Sequence, residues 1–334
     1  MEVRKVNGFF IIFVIGYIGL SVVCASIMAY AQNSGIAVPD WIQYVMSEGI
    51  ILLIAIIYMI VQKIDPIREI PYKRIGIVDV ILSLVAGYCL IPAVLLISNL
   101  SMLFSTNYLE EGTTTLLTYP FAMQVILLAV IPPLVEELIF RGIFFGSYRK
   151  AGMTGAALMS GLLFGCFHLN INQALYAFVI GIVFAYMVEA TGSLWSSVIA
   201  HFAVNTYSIG IVQILKMAGM YAQDGSVSET FENAESVAGQ STSITVVQIA
   251  MIAVIAAVFM MLAVLCIRTM AKRHGNLEKM KIQNVKLSHI KNYFTAPVIV
   301  GIVVCVMYMI MLEFSLEKYK AHVHRKLCTW ALYF

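Results

Sequence analysis

The chain reads as an all-α protein: a polytopic bundle of about nine transmembrane helices, with an active site inside the membrane between helices four, five and seven. Three observations lead there. Of the 334 residues, 61% are hydrophobic and only 12% charged, and the mean hydropathy is +0.90, more apolar surface than a soluble domain can hide. The apolar residues gather in nine runs, judged against the ~20 residues a helix needs to cross about 30 Å of hydrocarbon. Within those runs, three short segments at Pro132–Arg141, Phe164–His168 and His201–Asn205 carry polar groups capable of meeting one another.

Taken in order, the first run lies near 8–30. Arg4 and Lys5 precede it, and Ala29-Tyr30-Ala31 resembles a cleavage site. The stretch Gly8–Met28 exceeds the roughly 7–15 apolar residues of a signal-peptide core, so we read it as a retained helix. The second and third runs fall near 46–62 and 76–104. The fourth, near 119–147, is long and contains Pro132-Pro133, which should kink it because proline lacks the N–H donor and clashes with the preceding turn. The fifth and sixth, near 154–170 and 173–189, are short and parted only by Asn170–Asn172. The seventh lies near 194–215, the eighth near 245–267 and the ninth near 295–314.

Lys and Arg distribution sets orientation. Arg4 and Lys5, then Lys63, Arg68, Lys73 and Arg74, then Arg149 and Lys150, then the basic run from Arg268 to Lys291 all fall on one side if nine helices alternate. That side should be cytoplasmic. The opposite loops hold Asp40, Glu110, Glu111, Asp224, Glu229, Glu232 and Glu235. The tail, with Lys318, Lys320, Arg325 and Lys326, breaks the pattern, and we assign no role to His322–Phe334. The organisation expected is N-terminal helices over 1–118, a catalytic helical core over 119–218, a polar linker over 219–244, and C-terminal helices and tail over 245–334. The linker is acidic and rich in Ser, Gly and Ala, a composition that cannot build a core.

Several function classes drop out. A net charge of +3 with no basic stripe does not suit nucleic acid. Six scattered cysteines without a CxxC pair suggest neither a zinc ribbon nor a redox motif, and they read as small packed hydrophobes. The sequence has no HExxH, Gly146-Ser147 lacks the flanking glycine of a GxSxG elbow, and Asp79 is the sole aspartate well inside a run, so there is no two-aspartate dyad.

What remains is the polar set. A charge at bilayer depth costs at least ~2.5–3.5 kcal/mol and marks a functional candidate. Successive helical residues point about 100° apart, so Glu136 and Glu137 face different ways. Glu137 and Arg141, four apart, share a face and can pair. Glu136 is left without a local partner and is the better candidate for an active carboxylate. Phe164 and His168 share a face, as do His201 and Asn205. Polar groups on three apolar helices each need a partner or a wet cavity, and one shared cavity serves them all. A carboxylate with a histidine can hold and deprotonate a water. A histidine with an asparagine can donate to an oxyanion. Two other readings stay open: zinc held by Glu136, His168 and His201 with one position left for water, or a purely structural polar knot between helices.

Glu136-Glu137-x-x-x-Arg141, Phe164-x-x-x-His168 and His201-x-x-x-Asn205, in that order, with Thr191-Gly192-Ser193-Leu194-Trp195 before the last, resemble the CAAX protease and bacteriocin-processing (CPBP, or Abi) family. The resemblance covers roughly 119–210. It implies an intramembrane endopeptidase in which Glu136 and His168 activate water, His201 and Asn205 stabilise the oxyanion, and Glu137 with Arg141 give support. It implies a peptide or lipidated-protein substrate entering from the membrane or the cytoplasmic side, and residence in a bacterial plasma membrane, while the loop charges put the N-terminus in the cytoplasm. The family has been described as metal-dependent, but Asn205, a poor zinc ligand and a good oxyanion donor one turn beyond His201, favours no required cofactor, zinc or another divalent metal being the alternative. Some relatives serve instead as non-catalytic scaffolds or in bacteriocin self-immunity, which is the alternative function.

Overall fold

A computed structural model of the chain describes residues 3–105, 119–219, 246–282 and 291–322. The linker expected over 219–244 lies, apart from Gly219, outside the described residues, as does the tail beyond 322. The described residues are helical and contain no strand. Among the described residues nine apolar helices form: α1 (Val3–Asn33), α2 (Trp41–Val61), α3 (Ile77–Ser101), α4 (Phe121–Ala151), α5 (Met153–Phe167), α6 (Ile171–Thr191), α7 (Leu194–Met217), α8 (Val246–Arg273) and α9 (Ala296–His322).

The expected nine helices are therefore present, but among the described residues eight rather than nine have the length and apolarity to cross a bilayer. The exception is α5. Its 15 residues reach about 22 Å at 1.5 Å per residue, short of ~30 Å of hydrocarbon. His168 ends it, Leu169 adopts a left-handed backbone at φ 53°, and Asn170 caps α6 by accepting from the Gln173 N–H at 3.2 Å. The chain is a multi-pass membrane protein.

Helix α4 passes through Pro132-Pro133 without stopping. The strain appears instead as two wide, π-helical turns, Val125–Val130 before the prolines and Leu138–Phe145 after them. Around α4 lie α2, α5, α6 and α7, while α6 also touches α3, α7 and α8. The two C-terminal helices join the body of the protein: α8 lies along α3, and α9 along α1. Asp79, buried in the first turn of α3, accepts from Arg273 Nε at 3.2 Å and His274 Nε2 at 3.0 Å just past α8, so this aspartate is a tie between helices. Asn7 of α1 accepts from the Tyr148 hydroxyl at 2.6 Å and donates to the Asn292 carbonyl and Thr295 hydroxyl at 2.9 Å, joining α1, α4 and the entry to α9.

The turn between α6 and α7 shows what the Thr191–Trp195 motif does. Gly192 takes φ 68°, a left-handed cap that other residues adopt with strain. Ser193 then caps α7 by accepting from the Trp195 N–H, and its hydroxyl donates to the Lys73 carbonyl. The Leu194 N–H donates to the Pro71 carbonyl at 2.7 Å. The motif therefore fixes where α7 starts, and with it the height of His201. Of the described cysteines, Cys89, Cys166 and Cys305 are buried, Cys24 and Cys266 are half-buried, and all are free thiols.

Candidate active site

Helix α4 supplies the acidic groups. Glu137 and Arg141 are both fully buried, and Arg141 Nη1 donates to Glu137 Oε1 at 2.7 Å, the pair that their spacing of four allows. The rest of the guanidinium lies against aromatic faces, with Cζ 4.3 Å from the Phe164 ring centre and 5.2 Å from that of Phe184. Cation–π attraction of this kind is worth more once water is excluded. Gly181 makes the room. A Cβ there would lie 3.0 Å from Arg141 Nη2 and 2.9 Å from the Gly161 Cα, so small residues let α5 and α6 close around the arginine.

Glu137 has a second partner. His201 of α7 donates from Nδ1 to the same Oε1 at 3.1 Å. A carboxylate can only accept, so this bond puts a proton on Nδ1 and fixes how the ring is turned. The other nitrogen, Nε2, then lies 3.7 Å from Glu136 Oε2. Sequence spacing assigned Glu137 to Arg141 alone. The structure makes it the hinge between Arg141 and His201.

Glu136 differs from its neighbour in two ways. Its side chain keeps 14% of its exposure, and its Oε2 has no hydrogen-bond partner among the described residues. His168, at the end of α5, donates from Nδ1 to the Phe164 carbonyl at 2.8 Å, again because a carbonyl only accepts. In the neutral ring Nε2 then carries the lone pair, the form a base requires. Phe164 joins the two histidines: its ring meets His168 edge-on at 4.7 Å and His201 at 5.8 Å. Phe184 completes the wall, 5.3 Å from His201. Phe184, Gly161 and Gly181 were not singled out by spacing, although the Gly161-x-x-x-Gly165 spacing is a sequence signal of close helix approach.

Asn205, one turn beyond His201, has a contact that backbone chemistry explains. Its side-chain amide donates to the Leu128 carbonyl at 2.9 Å. Four and five residues after Leu128 come Pro132 and Pro133, and neither has an N–H to give. The proline pair thus orphans a carbonyl in the wide turn of α4, and Asn205 satisfies it from α7. One N–H of the amide is committed in this way, and the second is available for chemistry. Asn205→Ala is expected to cost about 1–3 kcal/mol of stability, the price of an unsatisfied buried acceptor. Thermal unfolding in detergent would read it, and an unchanged midpoint would show that the Leu128 carbonyl needs no partner.

The site thus brings Glu136, Glu137, Arg141, Phe164, His168 and His201 together, with Asn205 holding α7 to α4. Among the described residues, no group of three His, Cys, Asp or Glu side chains is disposed to hold a metal ion.

Residues 118–207 match the family model described as Rce1-like, type II CAAX prenyl endopeptidase Rce1-like. The chain is also similar to a protein of Bacillus subtilis (strain 168) named "Putative membrane peptidase YdiL", with 32% identity over 88 residues. That match spans 26% of this chain and 36% of the length of the relative. No solved structure matches the chain. The matched segment contains all three motifs, and the resemblance read from them to the CAAX protease and bacteriocin-processing family is borne out.

Proposed function

We propose that this protein is an intramembrane endopeptidase that hydrolyses a peptide bond in a peptide or lipidated-protein substrate, using water activated by Glu136 and His168. The observation that carries the reading is the difference between two adjacent glutamates. Glu137 is fully buried and occupied by Arg141 and His201, whereas Glu136 retains exposure and an unpartnered oxygen.

In this mechanism the substrate carbonyl enters beside Glu136, and a water lies between the Glu136 carboxylate and His168 Nε2. Glu136 takes a proton as the water attacks, and that proton passes to the leaving amine, as for a general base turned general acid. The oxyanion is met by Asn205 through its second amide N–H and by His201. In its protonated form, His201 keeps Nδ1–H on Glu137 and presents Nε2–H to the substrate. Arg141 and Glu137 fix the ring of His201 and stay out of the reaction.

The reading puts the protein in a bacterial plasma membrane with its N-terminus in the cytoplasm, supported by Arg4, Lys5, Arg149 and Lys150 on alternate loops. The test is cleavage by the purified protein of a synthetic peptide pool, half of it carrying S-prenylated cysteine. A second reading is a non-catalytic scaffold or immunity protein, favoured by the closed Glu137–Arg141–His201 network, which would equally serve as a structural knot. A well-folded protein inert toward the whole pool would support that reading.

We further propose that no metal is required. The motivation is Asn205, one turn beyond His201 on the same face, since an asparagine is a poor zinc ligand and a good oxyanion donor. Activity is expected to survive a strong chelator, with well under one equivalent of zinc in purified active protein. Loss of activity on chelation, restored by zinc alone, would overturn this and make Glu136, His168 and His201 the ligands.

A further inference from the structure

A polar residue that sequence spacing did not single out lies in the next helix over. Glu48 interrupts the apolar run of α2, where a charge is costly, and it lies outside the segment that carries the three motifs. Helix α2 packs against the Ile131–Glu137 stretch of α4. Glu48 Oε2 is buried and has no hydrogen-bond partner among the described residues, and the same is true of Glu136 Oε2. The Glu136 carboxyl lies within electrostatic reach of Glu48 as well as of Glu137 and Arg141.

The surroundings are polar from two more sides. Tyr17 of α1 shares a 3.0 Å hydrogen bond with Ser47, the residue before Glu48, and it feels the charges of both Glu48 and Glu136. Tyr176 of α6 also feels Glu136. Arg141 is bound to Glu137 at 2.7 Å, and His201 Nε2 lies 3.7 Å from Glu136 Oε2 without hydrogen-bonding it. Two carboxyl groups, each with an orphan oxygen, therefore belong to the α2–α4 contact.

We propose that Glu48 is a positioning residue that acts through Glu136, the two carboxyl groups forming one coupled unit across the α2–α4 contact. The inference rests on the endopeptidase reading for its effect on turnover, but not for the coupling itself. Two like groups in one dry space constrain each other. They order what lies between them, here the water that Glu136 must hold, and they limit the directions the Glu136 carboxyl can take. Glu48 would thus extend the site beyond α4, α5 and α7 to α2.

Glu48→Gln keeps the volume and the hydrogen-bonding capacity and removes the charge, so it avoids the folding risk of Glu48→Ala. A double-mutant cycle with Glu136→Gln, read by thermal unfolding in detergent, tests the coupling without any substrate. Each single replacement is expected to raise the midpoint by a few degrees by relieving the same repulsion, and the double replacement to gain little more than either alone. Additive shifts would overturn the proposal. With the peptide pool, Glu48→Gln is expected to lower kcat by up to about 10²-fold, the scale of a displaced catalytic group, with KM unchanged, a split that a residue merely supporting the fold would not produce. An unchanged kcat in a variant of an active wild type would also overturn it. A wild type inert toward the pool would sink the endopeptidase reading, while the cycle would still decide whether Glu48 and Glu136 are one unit.

Discussion

Replacing Glu136 with glutamine is expected to reduce turnover by about 10²–10⁴-fold, the usual contribution of a general acid–base group, and to leave the protein folded. The two halves of the expectation have separate physical grounds. Glutamine matches the volume of glutamate but cannot take a proton from water. No hydrogen bond to Glu136 Oε2 is broken, because that atom has no partner among the described residues, and a buried carboxyl near Glu48 and Glu137 is exchanged for a neutral amide. Rates with a cleaved peptide and the unfolding midpoint should therefore move apart: rate down, midpoint above wild type. Retention of more than roughly a tenth of the wild-type rate would remove Glu136 from the role of base.

Much of this architecture follows from composition alone, since apolar runs of about 20 residues leave the chain few choices. Helical spacing also put Arg141 beside Glu137. It did not reveal that His201 would reach the same oxygen. Adjacent glutamates point different ways, and which of them faces α7 depends on how α4 is turned after two wide turns and two prolines. Helix α5 was legible as short, but not as stopping at His168 and falling below spanning length, because hydropathy does not register the left-handed backbone at Leu169. Asn205 shows a signal present but unused: Pro132 and Pro133 mark the Leu128 carbonyl as an orphan, and a donor had to come from somewhere. Glu48 was the hardest to see, because nothing local to α2 states that it packs on α4. The three-motif segment spans about a quarter of the chain, and a residue from outside it enters the site only through tertiary packing.

Arg141→Ala is expected to be the most damaging single change to stability, at about 3–5 kcal/mol, the cost of leaving one member of a buried ion pair alone. The geometry explains why so few alternatives would serve. Glu137 is fully buried, and without Arg141 its remaining partner is a single His201 N–H at 3.1 Å. The guanidinium also fills the space between Phe164 and Phe184, so alanine adds a void and loses the cation–π contacts. Arg141→Lys keeps a charge but offers no planar face to the two rings, and should recover only part of the loss. Arg141→Met with Glu137→Gln removes both charges at similar volume, and is expected to regain most of the stability, because replacing a buried pair by neutral groups is often close to neutral. The double variant should nonetheless turn over slowly, since His201 would no longer be held by a carboxylate. Unfolding midpoints in detergent for the three variants, beside rates for those that fold, test the argument. An Arg141→Ala protein that is as stable as wild type and inactive would move Arg141 from the scaffold to the substrate.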